Sequence, residues 1–133
     1  LLAMCAVTDV NTTGAYMNRA AMGEWWGLRK RLGLIHADFI GYWEDQCPVR
    51  TATEKALVSV YKAPGGRLVV PITNRLPNPV EVTVAVDLNA LGLEGKTITA
   101  VDERTGKPVE LKGGTFTVLV QGRNYTFISL TAK

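Results

Sequence analysis

A chain of 133 residues that is 47% hydrophobic and 20% charged, with a formal net charge of +3, has the make-up of one folded domain with enough apolar residues for a core. This composition excludes the disordered, collagen-like and disulfide-dense classes. The positive surplus lies wholly beyond residue 50, where ten basic side chains meet seven acidic ones, against five and five before it. Those ten are spread singly through turns and strand ends, a pattern of solvated sheet edges rather than a nucleic-acid-binding stripe.

In chain order, the apolar run of residues 1–8 (LLAMCAVT) predicts a strand buried on both faces, as in a parallel sheet, with a buried helical segment as the alternative. The run is too short to span a membrane and lacks the basic stretch that precedes a signal-peptide core. Its start at Leu1, without an initiator methionine, suits a processed or excised piece. After the polar cluster at residues 9–14, the spacing of Met17, Ala20, Ala21, Glu24, Leu28 and Leu32 predicts a helix over residues 16–34. Arg29, Lys30 and Arg31 fall in its last turn, and Gly33 provides the stop. Residues 36–43 read as an extended exit and residues 44–55 as a linker.

From residue 55 the period changes to two. Val58 and Val60 alternate with Ser59 and Tyr61, and Val80, Val82, Val84 and Val86 share one face of the clearest strand. Pro71 interrupts residues 68–73 and predicts an edge or bulged strand there, since proline cannot donate to a ladder. Further strands are predicted at residues 98–101, 109–111, 116–120 and 125–130, with Tyr125 and Phe127 opposite Ile128 and Leu130. About seven short strands with frequent Gly- and Pro-rich turns predict an antiparallel β-sandwich. The expected organisation is a lead-in strand and helix over residues 1–50 and a sandwich over residues 55–133.

Candidate chemistry is sparse. Cys5 and Cys47 with one histidine, His36, are too few for a structural zinc site. Two buried free thiols are the favoured state, and a disulfide is the alternative. A glycosidase needs two carboxylates facing each other about 5–10 Å apart. Glu81 points out of a strand, and Asp87, Glu94, Asp102 and Glu103 fall in connections, so no catalytic residue is assigned. The candidate ligand contacts are Trp25, Tyr42 and Trp43, whose rings could stack on a sugar face or pack internally, and Asp9 and Asn11, polar residues after the first apolar run. For the latter pair, helix capping and turn formation compete with ligand binding.

The order of these features resembles the last β/α unit of a TIM-barrel glycoside hydrolase continuing into its C-terminal β-sandwich. The segments LLAMCAVTDVN, LRKRLGLIHADFIGYW, SVYKAPGGRLVVPITN and VEVTVAVDLNALGL carry the likeness, with ADFIGYW and VSVY phrased as in bacterial glycosidase-like proteins. The resemblance implies that Asp9 and Asn11 sit at the mouth of the final barrel strand, that an upstream catalytic barrel is the partner, and that secretion or a periplasmic location is favoured. A whole barrel takes about 200 residues or more, so any acid and nucleophile would lie upstream. The expected function is a non-catalytic accessory domain of a glycoside hydrolase. The alternatives are a stand-alone carbohydrate-binding module for an oligo- or polysaccharide and a small carbohydrate-active hydrolase. No cofactor, metal, nucleic acid or membrane is expected, and self-association would run through the lead-in helix.

Overall fold

The computed structural model describes residues 1–10 and 18–133. Two helices, α1 (Leu2–Thr8) and α2 (Arg19–Arg31), precede ten short strands among the described residues: β1 (Asp38–Ile40), β2 (Val49–Arg50), β3 (Ala56–Val58), β4 (Val60–Lys62), β5 (Leu68–Asn74), β6 (Val80–Val86), β7 (Ile98–Asp102), β8 (Pro108–Val109), β9 (Thr115–Val120) and β10 (Asn124–Ala132). A larger antiparallel sheet runs β1-β4-β5-β10-β7-β8, with β3 also paired to β5, and a smaller one runs β2-β6-β9. The protein is thus mainly β, an antiparallel sandwich with a helical lead-in.

The two sheets enclose one core. Val82, Val84 and Val86 of β6 and Phe116, Val118 and Val120 of β9 meet Leu68, Val70 and Ile72 of β5 and Ile128 and Leu130 of β10. Strict alternation on β6 and β9 leaves their other face to solvent, as period-two patterning requires. β5 is buried at all seven positions because the helices cover the outer face of the large sheet. There Leu2, Cys5, Trp25, Leu28 and Leu32 pack on Tyr61, Val69, Tyr125 and Phe127 as a second core. Cys5 belongs to this core and Cys47 to the one between the sheets, and both are free thiols. The large sheet lies between them.

Residues 2–8 form a helix rather than the expected strand. A short apolar run reads the same for a buried strand and a buried helix. Here the backbone carbonyls are settled by the sheet below: Thr73 Oγ1 donates to Ala3 O, and Ser59 Oγ donates to Val7 O at 2.7 Å. α2 is shorter than its periodic pattern. Asn18 caps it by accepting from Ala21 N at 3.1 Å, and Gly33, at φ 71°, turns the chain out after Leu32. Its buried stripe is Met22, Trp25, Leu28, Arg29 and Leu32, while Ala20 and Glu24, part of the spacing that predicted the helix, are exposed.

Pro71 lies inside the sheet, between β10 and the β3/β4 pair, and not at an edge. Its missing N–H is accommodated because the neighbouring strand breaks opposite it. β3 pairs with β5 through Val58↔Ile72, β4 resumes at Tyr61↔Val69, and Ser59 N donates to Pro71 O at 3.2 Å. Sheet pairing begins before residue 55, since Phe39 pairs with Tyr61 and Val49 with Val86.

Candidate functional site

The C-terminal end of α1 carries Asp9 in the left-handed region, at φ 56° and ψ 27°, a conformation that Asp tolerates better than most residues. The αL turn and the covering helix bring its carboxylate to two groups that the sequence reading did not connect with it. Tyr61 on β4 donates its hydroxyl to Asp9 Oδ1 at 2.9 Å, and Arg29 Nη2 on α2 donates to the same oxygen at 3.2 Å. Arg29 Nη1 also donates to Tyr61 Oη at 3.3 Å. Burial pushes the Tyr61 hydroxyl well above its ordinary range, with Arg29 opposing and Asp9 reinforcing that shift, so Tyr61 stays protonated as a donor. The three residues form a clamp that fastens both helices to the sheet.

Arg29 is 3% exposed and stacks within 5.3 Å of the Trp25 ring centroid and 5.8 Å of that of Tyr61. Arg29 Nε and Trp25 Nε1 are buried with no partner among the described residues. Trp25 itself is fully buried, edge-on to Tyr125 at 5.3 Å and tilted against Phe127 at 5.8 Å. It offers no face to a ligand, which decides for packing over sugar stacking at this position. Asn11 lies outside the described residues.

Tyr42 and Trp43 do stand near this cluster. Phe39 links them to it, with ring centroids 4.9 Å from Tyr61 and 5.9 Å from Trp43, while Tyr42 meets Trp43 edge-on at 5.1 Å. The Trp43 indole lies against the backbone of Gly41, where a Cβ would come within 2.5 Å of the ring. Trp43 remains 56% exposed, so one side of a fixed ring faces solvent. Tyr42 N donates to Ser59 Oγ, the hydroxyl that also holds Val7 O.

A second polar centre pins the other side of α2. Arg31 pairs with Glu103 at 2.5 Å, and Glu24 pairs with Arg104. Burial alone would raise the Glu103 carboxyl, but donation from Ser129 and Arg31 brings it below the usual carboxylate range. Arg104 also donates to Asn124 Oδ1 and Tyr125 O and stacks over Tyr125 at 4.4 Å. Asp9, Glu24 and Glu103 are thus each paired with an arginine, an arrangement suited to fastening layers together. Asp102 accepts from Thr126 Oγ1 and from the backbone of Arg104 and Thr105, which is the work of a turn-forming carboxylate.

The sequence reading took Arg29 as a cation in the last turn of a helix and set Ser59 and Tyr61 in alternation with Val58 and Val60, without assigning them partners. One signal for the first was present: Arg29 is four residues after Trp25, hence on the same helical face. No local signal marked Ser59 and Tyr61, whose partners on the helical layer, Val7 and Arg29, lie 52 and 32 residues away.

A family model described as glycoside hydrolase 123, C-terminal domain, matches residues 22–105. No curated protein matches the chain. Among solved structures, an Anoxybacillus alpha-amylase is similar with a TM-score of 0.56 at 14% identity, over 89% of this chain and 24% of that one. AmyP, solved in complex with maltose, gives a TM-score of 0.55 at 14% identity, over 92% of this chain and 24% of that one. A GH27 β-L-arabinopyranosidase from Geobacillus stearothermophilus reaches 0.47 at 16% identity, over 62% of this chain and 19% of that one. At 14% identity the likeness to the first two is one of fold. The chain spans a quarter or less of each of the three proteins.

Proposed function

Because the chain belongs to the glycoside hydrolase 123 C-terminal domain family, we propose that it is a non-catalytic accessory domain that docks on the catalytic domain of its parent hydrolase through its helical layer. One observation carries this reading. Of the seven large hydrophobic side chains exposed among the described residues, six (Leu1, Met4, Val10, Trp26, Ile35 and Trp43) fall in residues 1–43 and one, Leu119, in the rest. Apolar exposure concentrated in the first 43 residues supports an interaction surface in this part of the chain. The clamp of Asp9, Arg29 and Tyr61 and the two arginine pairs on α2 supply the rigidity that a buttress requires, and the carboxylates they use are committed to structure.

Calorimetry on the full-length hydrolase tests the docking. A coupled accessory domain unfolds with the catalytic domain in one transition. Trp26→Glu together with Ile35→Glu splits that transition, costing about 2 kcal/mol or more of coupling for a buried aromatic anchor, while the melting of the isolated chain is unchanged. Two independent transitions in the unaltered full-length protein would rule the reading out.

The second reading, a stand-alone carbohydrate-binding module, is favoured by the Trp43 shelf. There Gly41 holds the indole from one side and leaves the other open, with Tyr42 at its edge. On this reading, retention of the chain on immobilised glycan disappears in Trp43→Ala.

A further inference from the structure

We propose that a crevice between the β7–β8 turn, the end of β9 and the start of β10 is a subsite for a neutral saccharide, distinct from the aromatic shelf at Trp43. Glu24, Asp102, Arg104, Leu119, Gln121 and Asn124 line a cavity of about 380 Å³. A second cavity of about 250 Å³ shares Glu24, Arg104, Asn124 and Tyr125 with it. The larger of the two falls in the range of small-molecule pockets.

Its polar groups are fixed in place. Arg104 spends Nε on Glu24 and Nη1 on Asn124 Oδ1 and Tyr125 O, at 2.6 and 2.9 Å, and its plane rests on the Tyr125 ring. Arg104 Nη2 and Asn124 Nδ2 then have no protein partner among the described residues. Asp102, only 4% exposed, uses Oδ1 for three bonds, and its Oδ2 has no partner among the described residues either. A carboxylate whose second oxygen reaches solvent at the crevice, beside two donors without a protein partner among the described residues, suits a ligand whose groups both donate and accept.

Charge and shape narrow the class. Glu24 and Asp102 balance Arg104 and, along the second cavity, Arg123, so the site favours no net charge on its ligand. Leu119 adds an apolar wall; it is 55% exposed and is the single exposed large hydrophobic beyond residue 43 among the described residues. Hydroxyl pairs for Asp102, Arg104 and Asn124 and an apolar C–H face for Leu119 together describe a pyranose ring. The inference goes beyond the docking reading and does not rest on it: Glu24 and the second cavity's Leu1, Leu2, Ala3 and Ala21 belong to the helical layer, but Leu119 and Gln121, the positions varied below, lie outside it.

The test uses the 133-residue chain, with folding verified by circular dichroism, in saturation-transfer NMR and titration calorimetry with maltose, cellobiose, lactose and digalacturonic acid. At least one neutral disaccharide is expected to bind. The double variant Leu119→Ala, Gln121→Ala, altered at two surface positions, should weaken that binding about tenfold or more, and Trp43→Ala should leave it unchanged. Silence from all three neutral sugars, binding of digalacturonic acid alone, or binding that survives the double variant but vanishes in Trp43→Ala would each overturn the proposal. Loss of coupling to a catalytic domain is read by a separate calorimetric experiment, so either idea can fail without the other.

Discussion

Trp25→Ala is expected to lower stability by about 3–5 kcal/mol, the range for emptying a fully buried tryptophan site. Trp25 has no exposed surface and sits where α2 meets the sheet, edge-on to Tyr125 and tilted against Phe127. Its loss opens a cavity at the centre of the second core and removes the aromatic face beside the buried Arg29 guanidinium. A buried charge that loses part of its surroundings adds to the cost. Because Trp25 Nε1 makes no hydrogen bond among the described residues, the loss is one of packing. Trp25→Phe should therefore recover most of the stability, to within about 1.5 kcal/mol of the parent chain. Urea unfolding of the three proteins measures this. An unchanged midpoint for Trp25→Ala would mean that the helical layer is not packed on the sheet as described.

The same core shows what local sequence could and could not reveal. The alternation in residues 80–86 and 116–120 was legible because one face of the small sheet meets water, so every second residue except Leu119 is polar or small. Tyr125 and Phe127 were correctly set opposite Ile128 and Leu130, and these pairs enter different cores. The residues of the large sheet that face the helices were not legible. Ser59, Tyr61 and Thr73 look like an outer face, yet all are buried, because a layer from the start of the chain covers them. Similarly, residues 2–8 carry no period that separates helix from strand, and only the carbonyl partners at Thr73 and Ser59 fix the outcome. Of the candidate site residues, Asp9, Tyr42 and Trp43 gather around Tyr61 and Phe39, a grouping that β1–β4 pairing creates and that no spacing in the chain announces.

Gly122→Ala is expected to cost about 3 kcal/mol or more, at the upper end for overpacking, because its neighbours are backbone and cannot swing aside. A Cβ at Gly122 would collide with the Pro77 carbonyl carbon and oxygen and stand 3.0 Å from Asn78 N. Gly122 does not have a left-handed φ, so its role is close approach rather than conformational freedom. Two turns are pressed together here. Arg123 N donates to Leu76 O at 2.7 Å, and the buried Asn74 amide donates to Asn78 O at 2.8 Å and Gln121 O at 3.2 Å. Moving the turns apart strands the Asn74 amide, which adds the penalty of an unmade buried hydrogen bond to the steric one. Urea unfolding gives the total, and amide exchange locates it, since Arg123 N–H should lose protection first. A midpoint within about 0.5 kcal/mol of the parent would show that the turns can separate freely. Because this turn also delivers Gln121 and Asn124 to the crevice beside Arg104, the variant should lose saccharide binding even at temperatures where it remains folded. Stability of the turn and shape of the crevice depend on the same missing side chain.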